Sequence, residues 1–345
     1  MEKLKLLVYK ISHWEYYPFY IVYFPLFFVW LYNSLKTGSF FYFNALNPGL
    51  ENGKFLMDSK KEIYNRMPKG TYPKSLKCKP KDNLELVNNE ILINKLSYPL
   101  IAKPDFGLRG LAVQKLEYEE QLIKYMDNIE VDYLLQEFIS YPNEIGIFYI
   151  RIPGEDKGKI TGIVAKEFMT IIGDGTSTIE QILIQTPRYH MQLGKLKSLL
   201  NQALERVPSK GEVINLVPYG NHSRGTKFLD ASHQITEKLT NTINKIFLQI
   251  DGFYYGRLDI KYNSFAELEQ GQNFSILELN GAISEPTHIY DPRHSIFYAW
   301  KEGLKHFNLL YKICKKNHQL GVSYYTYSEG RQLLKAYSKH LAQIA

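Results

Sequence analysis

The segments GRLDIKY (Gly256–Tyr262) and FSILELN (Phe274–Asn280) decide the fold of this 345-residue chain. Both read as strands, in which successive side chains point to opposite faces. Residues two apart on a strand share a face, so Arg257 points with Asp259, and Glu278 with Asn280. If the two strands are neighbours, two carboxylates, an amide oxygen and a guanidinium meet on one patch. Hard oxygen ligands of this kind suit Mg²⁺, which takes one or two carboxylates together with substrate phosphates. An arginine beside them can neutralise charge on a transferring phosphoryl group. Taken alone, the same pair also fits a salt-bridged sheet facing solvent.

Further toward the N-terminus, YPLIAKPDFGLRG (Tyr98–Gly110) reads as a strand ending at Lys103, followed by a turn containing Gly107 and Gly110. A glycine turn lets backbone N–H groups approach phosphate, and a lysine adds a point charge. The lysine precedes the glycines, so this is not a P-loop, and no dinucleotide fingerprint is present here. A second strand is expected at Leu111–Val113. LLQEFISYPNEIGIFYI (Leu134–Ile150) reads as two strands whose edge offers backbone groups to a nucleobase, with Glu144 near the sugar. Helices are expected at Ser59–Arg66, 117–128, Glu180–Leu183, Met191–Val207 and Ser232–Ile250, and over most of the chain from Phe297. Alternation of this kind predicts an α+β or α/β fold with at least two sheets.

The joint order of Lys103 with its glycine turn, Glu137-Phe138-Ile139, Glu144, Arg257–Asp259 and Glu278–Asn280 resembles the ATP-grasp superfamily. Within it the pattern is nearest the D-alanine–D-alanine ligase, glutathione-synthetase-like and cyanophycin-synthetase-like branches, over about residues 58–295. IIGDGTSTIEQIL (Ile171–Leu183) and NLVPYGNHSRGTKFLD (Asn215–Asp230) resemble loops of the last branch. The resemblance implies two α+β lobes clasping ATP, the smaller about 98–170 and the Mg-binding one about 171–295, followed by C-terminal helices over 296–345. It implies that Lys103, Gly107 and Gly110 meet the phosphates, that the Glu137–Ile139 backbone holds adenine, and that Glu144 holds ribose. Asp259, Glu278 and Asn280 would bind two Mg²⁺, and Arg257 would stabilise an acyl phosphate. Lys166, Asn221, His222 and Arg224 fall on the substrate or triphosphate side. An earlier family lysine corresponds to Lys60 or Lys61. The stretch after Asn280 departs from the dipeptide ligases, so Glu285, His288 and Asp291 are either a substrate-specific cluster or polar loop residues.

Residues 1–57 do not look like the usual first domain of such ligases. From Tyr17 to Tyr32 the chain runs sixteen residues without a charge, and aromatics abound, with 27 Tyr and 19 Phe overall. A sixteen-residue helix reaches about 24 Å, short of a hydrocarbon core of roughly 30 Å, and Pro18 and Pro25 interrupt it. Three readings remain open for it: a membrane-surface anchor, a buried aromatic hairpin or homodimer contact, and a span. Nine basic against two acidic residues between Gly53 and Lys81 carry the whole net charge of +7. That distribution argues against a diffuse nucleic-acid surface, and an anionic membrane or ligand facing this segment is expected instead. Two cysteines fit a reducing cytoplasm, with the protein free or peripheral on the inner face of the membrane.

The expected reaction is Mg-ATP-dependent joining of a carboxylate to an amine through an acyl phosphate, with small-molecule or lipid-linked substrates. The alternatives are a small-molecule kinase of the same fold, and a nucleotide-binding membrane scaffold without turnover.

Overall fold

The computed structural model describes residues 2–54, 56, 58–107, 110–216 and 225–344. Its first sheet has four antiparallel strands, β1 (Ser75–Cys78), β2 (Leu100–Pro104), β3 (Gln114–Leu116) and β4 (Tyr133–Glu137), in the order β1-β4-β2-β3. A second antiparallel sheet has five: β5 (Asn143–Ile150), β6 (Lys159–Glu167), β9 (Lys227–Asp230), β10 (Tyr255–Tyr262) and β11 (Phe274–Asn280). Their order is β11-β10-β5-β6-β9. A two-stranded ribbon, β7 (Thr170–Ile172) with β8 (Val213–Asn215), projects from the second sheet.

Helices complete each layer. The N-terminal part holds α1 (Glu2–Ser12), α2 (Phe19–Thr37) and α3 (Lys60–Arg66). Then α4 (Leu84–Ile93) and α5 (Glu119–Asn128) cover the four-stranded sheet, burying Val87, Ile91, Leu122 and Tyr125 against Leu100, Ala102 and Leu135. A third core, containing Ile171, Leu183 and Leu196, joins the ribbon to α6 (Ile179–Gln185), α7 (Pro187–His190) and α8 (Leu193–Leu200). α9 (Glu237–Leu248) starts where the Thr236 hydroxyl accepts from the Leu239 N–H at 3.1 Å, an N-cap that satisfies one orphan donor. Its Leu239, Ile243 and Ile246 recur at helical spacing and pack on Ile147, Leu258 and Ile276, the apolar face of the five-stranded sheet. α10 (Phe265–Glu269) caps the β10–β11 connection, and α11 (Ile296–Gln319) and α12 (Tyr327–Ile344) close the chain.

The other face of the five-stranded sheet carries the polar residues and is covered at one end only, where Phe148 and Tyr255 meet Leu310 and Ile313 of α11. The open end faces the four-stranded sheet across a cleft. That asymmetry makes room for a site.

Several expectations change. The strand expected at Leu111–Val113 forms three residues later, at Gln114–Leu116. Ala112 takes φ +51° in the turn instead, which ladder geometry does not accept. The helix expected over Met191–Val207 is α8 followed by a short 3₁₀ turn, and the Ser232–Ile250 helix begins only at Glu237. Residues 19–37 form one helix through Pro25, with Leu26 seated on Gly303 of α11. The Trp300 indole donates to the Val22 carbonyl at 3.0 Å, beside the turn that the proline interrupts. Tertiary packing thus outweighs the roughly 3 kcal/mol that an interior proline costs. Among the described residues no helix is long and apolar enough to cross a membrane. The basic segment is also no single surface patch. Lys60 donates to the carbonyls of Pro104 and Asp105, Lys61 and Arg66 bond the carbonyls of Ser75 and Gly49, and Lys77 pairs with Asp105 and Asp132.

Candidate active site

β10 and β11 are neighbours, with Arg257 opposite Asn280 and Asp259 opposite Glu278. β5 and β6 flank them, with Glu144 opposite Lys261 and Gly146 between Asp259 and Val164. On that face the Arg257 guanidinium bonds both oxygens of Asp259 at 3.2 and 3.0 Å. Lys166 Nζ lies 3.0 Å from Asp259 Oδ1 and 2.6 Å from Glu144 Oε1, and the Asn280 amide donates to Asp259 Oδ2 at 3.2 Å. Burial pushes the Asp259 carboxyl up, but Arg257 and Lys166 outweigh it and hold it at about 2. Burial acts to lower Lys166 and Arg257 too, yet Asp259 raises both, so these two cations and Asp259 are ionised.

A strand glycine makes this packing feasible. A Cβ on Gly146 would sit 2.8 Å from Val164 Cγ1 and 3.2 Å from both Arg257 Cδ and Asp259 Oδ1. The side chains of β6 and β10 close over the space that Gly146 leaves.

Lys103 approaches from the other sheet. Its ammonium is buried and donates to Gln136 Oε1 at 2.8 Å, to the Tyr64 hydroxyl at 3.0 Å and to the Leu277 carbonyl at 3.4 Å. The last contact follows from a β-bulge: Asp259 pairs with Glu278 but Ile260 pairs with Ile276, so Leu277 is the extra residue and its carbonyl turns out of the ladder. Burial lowers the Lys103 pKa to about 8, with Glu278 and Asp105 opposing the shift. Gln136 and Tyr64 carry no role in the sequence reading. The alternation of β4 would put Gln136 beside Lys103, whereas Tyr64 reaches it only because α3 docks on both sheets.

One cavity of about 940 Å³ joins these groups. Lys103, Gly107, Gly110, Glu137, Phe138, Ile139, Glu144, Lys166, Arg257, Asp259, Glu278, Asn280 and Glu285 all line it, as does Lys60. Lys61 instead points to Ser75 on β1. The Ile139 carbonyl accepts from Lys261 at 3.1 Å, and Lys261 and Lys115 both sit over the Phe138 ring. Glu137 donates its N–H to the Lys74 carbonyl at 3.0 Å, so of this trio its backbone is partly committed within the lobe. The Glu285 carbonyl accepts from Arg257 at 3.4 Å and its carboxylate from the Tyr290 hydroxyl at 3.1 Å. Burial raises that carboxyl to about 7.

Two expected substrate residues do not join them. His288 is buried against Gly162, where a Cβ would overlap its ring at 2.2 Å, and it does not line the cavity. Asp291 accepts the Asp230 N–H at 2.7 Å and pairs with Arg293, which fastens the loop to β9. Asn221, His222 and Arg224 lie outside the described residues.

Among the described residues no group of three or more His, Cys, Asp or Glu converges to hold a metal. The donor set of Asp259, Glu278 and Asn280 is nonetheless the right chemistry for Mg²⁺. It offers two carboxylates and one amide oxygen on one face, and a Mg²⁺ that arrives with nucleotide phosphates needs no more from the protein.

No family model matches the chain. It is 25% identical over 272 residues to the glutathione biosynthesis bifunctional protein GshAB of Clostridium perfringens, covering 72% of this chain and 32% of that protein. The chain thus spans about a third of the length of this curated relative. Among solved structures, it is similar to the VanG D-Ala:D-Ser ligase of Enterococcus faecalis, at 16% identity and a TM-score of 0.43. That match covers 76% of this chain and 64% of the other. A D-alanine–D-alanine ligase from Coxiella burnetii gives 12% identity and a TM-score of 0.44, covering 84% and 64%.

Proposed function

We infer that this chain is an ATP-grasp enzyme that joins a carboxylate to an amine at the expense of ATP. The observation that carries the reading is the convergence of Lys103 from one sheet with Arg257, Asp259, Glu278 and Asn280 from the other on a single cavity. Residues 58–295 form the two lobes in this reading, and 1–57 and 296–345 wrap them.

Lys103 and Arg257 face the nucleotide phosphates with positive charge, and Lys166 holds Asp259 and Glu144 in place between them. A Mg²⁺ bound with the nucleotide would be held by Asp259, Glu278 and Asn280, and it supplies neutralisation of phosphate charge. A carboxylate oxygen of the first substrate attacks the γ-phosphorus, the bond to ADP breaks, and an acyl phosphate forms. Positioning and charge neutralisation supply most of the catalysis in such transfers. An amine nitrogen then attacks the acyl carbon. A C–N bond forms, the C–O bond to phosphate breaks, and the nitrogen gives up its proton. Glu285, with a carboxyl held near neutrality, is the acceptor for that proton. Water must be kept out during the life of the acyl phosphate, which the turn around Gly107 and Gly110 would accomplish on closing.

The test is release of ADP and phosphate from Mg-ATP against a panel of carboxylates and amines, with Asp259→Asn and Glu278→Gln as controls. Turnover that needs both partners and vanishes in the controls supports the ligase. Turnover with one acceptor and no amine replaces it with the kinase reading.

We also assign a membrane-facing role to the exposed aromatics of α2. Phe19, Tyr20, Phe24, Phe28 and Tyr32 are each more than half exposed, and Leu4, Val8 and Ile11 of α1 add to the apolar surface. Aromatic side chains of this kind favour the headgroup boundary.

A further inference from the structure

The cavity does not end at the phosphate-facing residues. Past Arg257 and Glu285 it continues along the walls that α2 and α11 supply, at Val22, Leu26, Phe27, Ala299, Gly303 and Phe307. On those two helices no charged side chain lines it. His306 does, but it is buried and burial lowers its pKa to about 3, so it stays neutral. Glu15, which also lines the cavity, is buried in an ion pair with Arg188 at 2.7 Å. One continuous space therefore has a charged half and an apolar half, and Glu285 stands at their boundary, its carbonyl on Arg257 and its carboxylate on Tyr290.

This arrangement is built in. Gly303 lets α2 approach α11, since a Cβ there would lie 2.9 Å from Leu26 Cδ1. The Trp300 indole pins the Val22 carbonyl, and Val22, Ile289 and Ala299 form one buried cluster around the end of the loop that carries Glu285. Phe19 and Phe27 line the channel and are also exposed, so its mouth opens on the aromatic surface. At about 940 Å³ the whole space is near the upper end of ordinary ligand sites, on the order of 300–1,000 Å³, and has room beyond a nucleotide.

We propose that the amine substrate is an amphiphile whose nitrogen sits at Glu285 and whose hydrocarbon body lies in the apolar half of the cavity, against α2 and α11. A carboxylate at the boundary selects an amine over an acid, and an uncharged channel selects an apolar body. The inference rests on the ligase reading for the chemistry at the nitrogen and on the channel alone for the tail.

The experiment is calorimetric titration of the full chain with n-alkylamines of increasing length below their micelle concentrations, beside n-alkylcarboxylates of equal length. Each buried methylene is worth about 0.8 kcal/mol, so Kd tightens about fourfold per carbon until the channel is full. Leu26→Trp shortens the length at which tightening stops, and Phe307→Ala lengthens it. Glu285→Gln removes the preference for amine over carboxylate. An affinity independent of chain length, or a length limit unmoved by both channel variants in folded protein, overturns the proposal. Equal binding of acids and amines overturns its placement of the nitrogen. A parallel arm with phosphatidylethanolamine and phosphatidylcholine vesicles separates the two sources. Selective binding to the former assigns the amphiphile to a lipid, and binding of free alkylamine alone assigns it to a soluble compound. Mg-ATP binding is measured separately. A chain-length series that holds without nucleotide binding leaves the channel standing and removes the ligase.

Discussion

Lys103 is the residue whose environment is most at odds with its chemistry. Its buried ammonium is held by two neutral oxygens and a backbone carbonyl, and burial brings its pKa to about 8. An unfolded lysine keeps its proton to about 10.4. Between those values the unfolded chain binds more protons, so this group makes the empty protein gain stability as pH rises from about 8. Nucleotide phosphate bound beside it would act in the opposite sense and raise the Lys103 pKa. Mg-ATP binding at pH 8.5–9 should therefore take up protons, read as a binding heat that varies with the ionisation enthalpy of the buffer. In Lys103→Met the buffer dependence should largely disappear. A second residue-scale test is Gly146→Ala. Its methyl would press on Val164, Arg257 and Asp259, and overpacking of this sort costs about 1–3 kcal/mol in denaturant unfolding. Turnover should fall further than stability, because the displaced groups are Arg257 and Asp259.

Much of this scale was legible beforehand. Read as strands, GRLDIKY and FSILELN put Arg257 with Asp259 and Glu278 with Asn280, and the ladder joins them in that register. The sequence puts Lys166 on the substrate or triphosphate side, but its bond to Asp259 depends on β6 lying next to β5, a pairing no local pattern reveals. His288 had the residue type of a catalytic group and the burial of a core one, and Gly162, far away in sequence, decides between them.

At the scale of elements, periodicity succeeded where one face was buried and failed where tertiary contacts overrode it. The core-facing stripe of α9 was readable from Leu239, Ile243 and Ile246. The four-residue β1 was too short to announce itself, and α2 runs through Pro25 because α11 supports it. The N-terminal segment is also fastened to α7. Arg188 donates to Glu15 and to the carbonyls of Gly225 and Thr226, and both charged side chains are nearly inaccessible, at 8% and 2%. Glu15→Gln should therefore destabilise the protein by about 3–5 kcal/mol in equilibrium unfolding, since it leaves a buried guanidinium without its counter-ion. Replacing both residues with Met should recover much of that loss. If the single change is silent, the pair does not hold the segment down.

For the whole molecule, the aromatic surface of α2 and the apolar side of α1 lie on the outside while the inner side of α2 walls the cavity. Deleting the first 35 residues would remove both at once. Phe24→Ser with Phe28→Ser separates them, because both residues are exposed and neither lines the cavity. The double variant should lose co-sedimentation with anionic vesicles while keeping Mg-ATP affinity within about twofold, surface changes of this type being worth roughly ±0.5 kcal/mol.

One helix connects these parts in a way that neither lobe does alone. α12 begins against the body, where Gly330 lies so close to Phe41 that a side chain would overlap its ring at 2.2 Å. It ends on the four-stranded sheet, with Ile344 on that core and His340 bonded to the Phe106 carbonyl at 3.2 Å, inside the turn beyond Lys103. A rod fixed at both jaws of a clamp sets the gap between them. Any change in that gap must bend the rod or lift one foot of it, so the width of the cleft is geared to a helix that does not line the cavity.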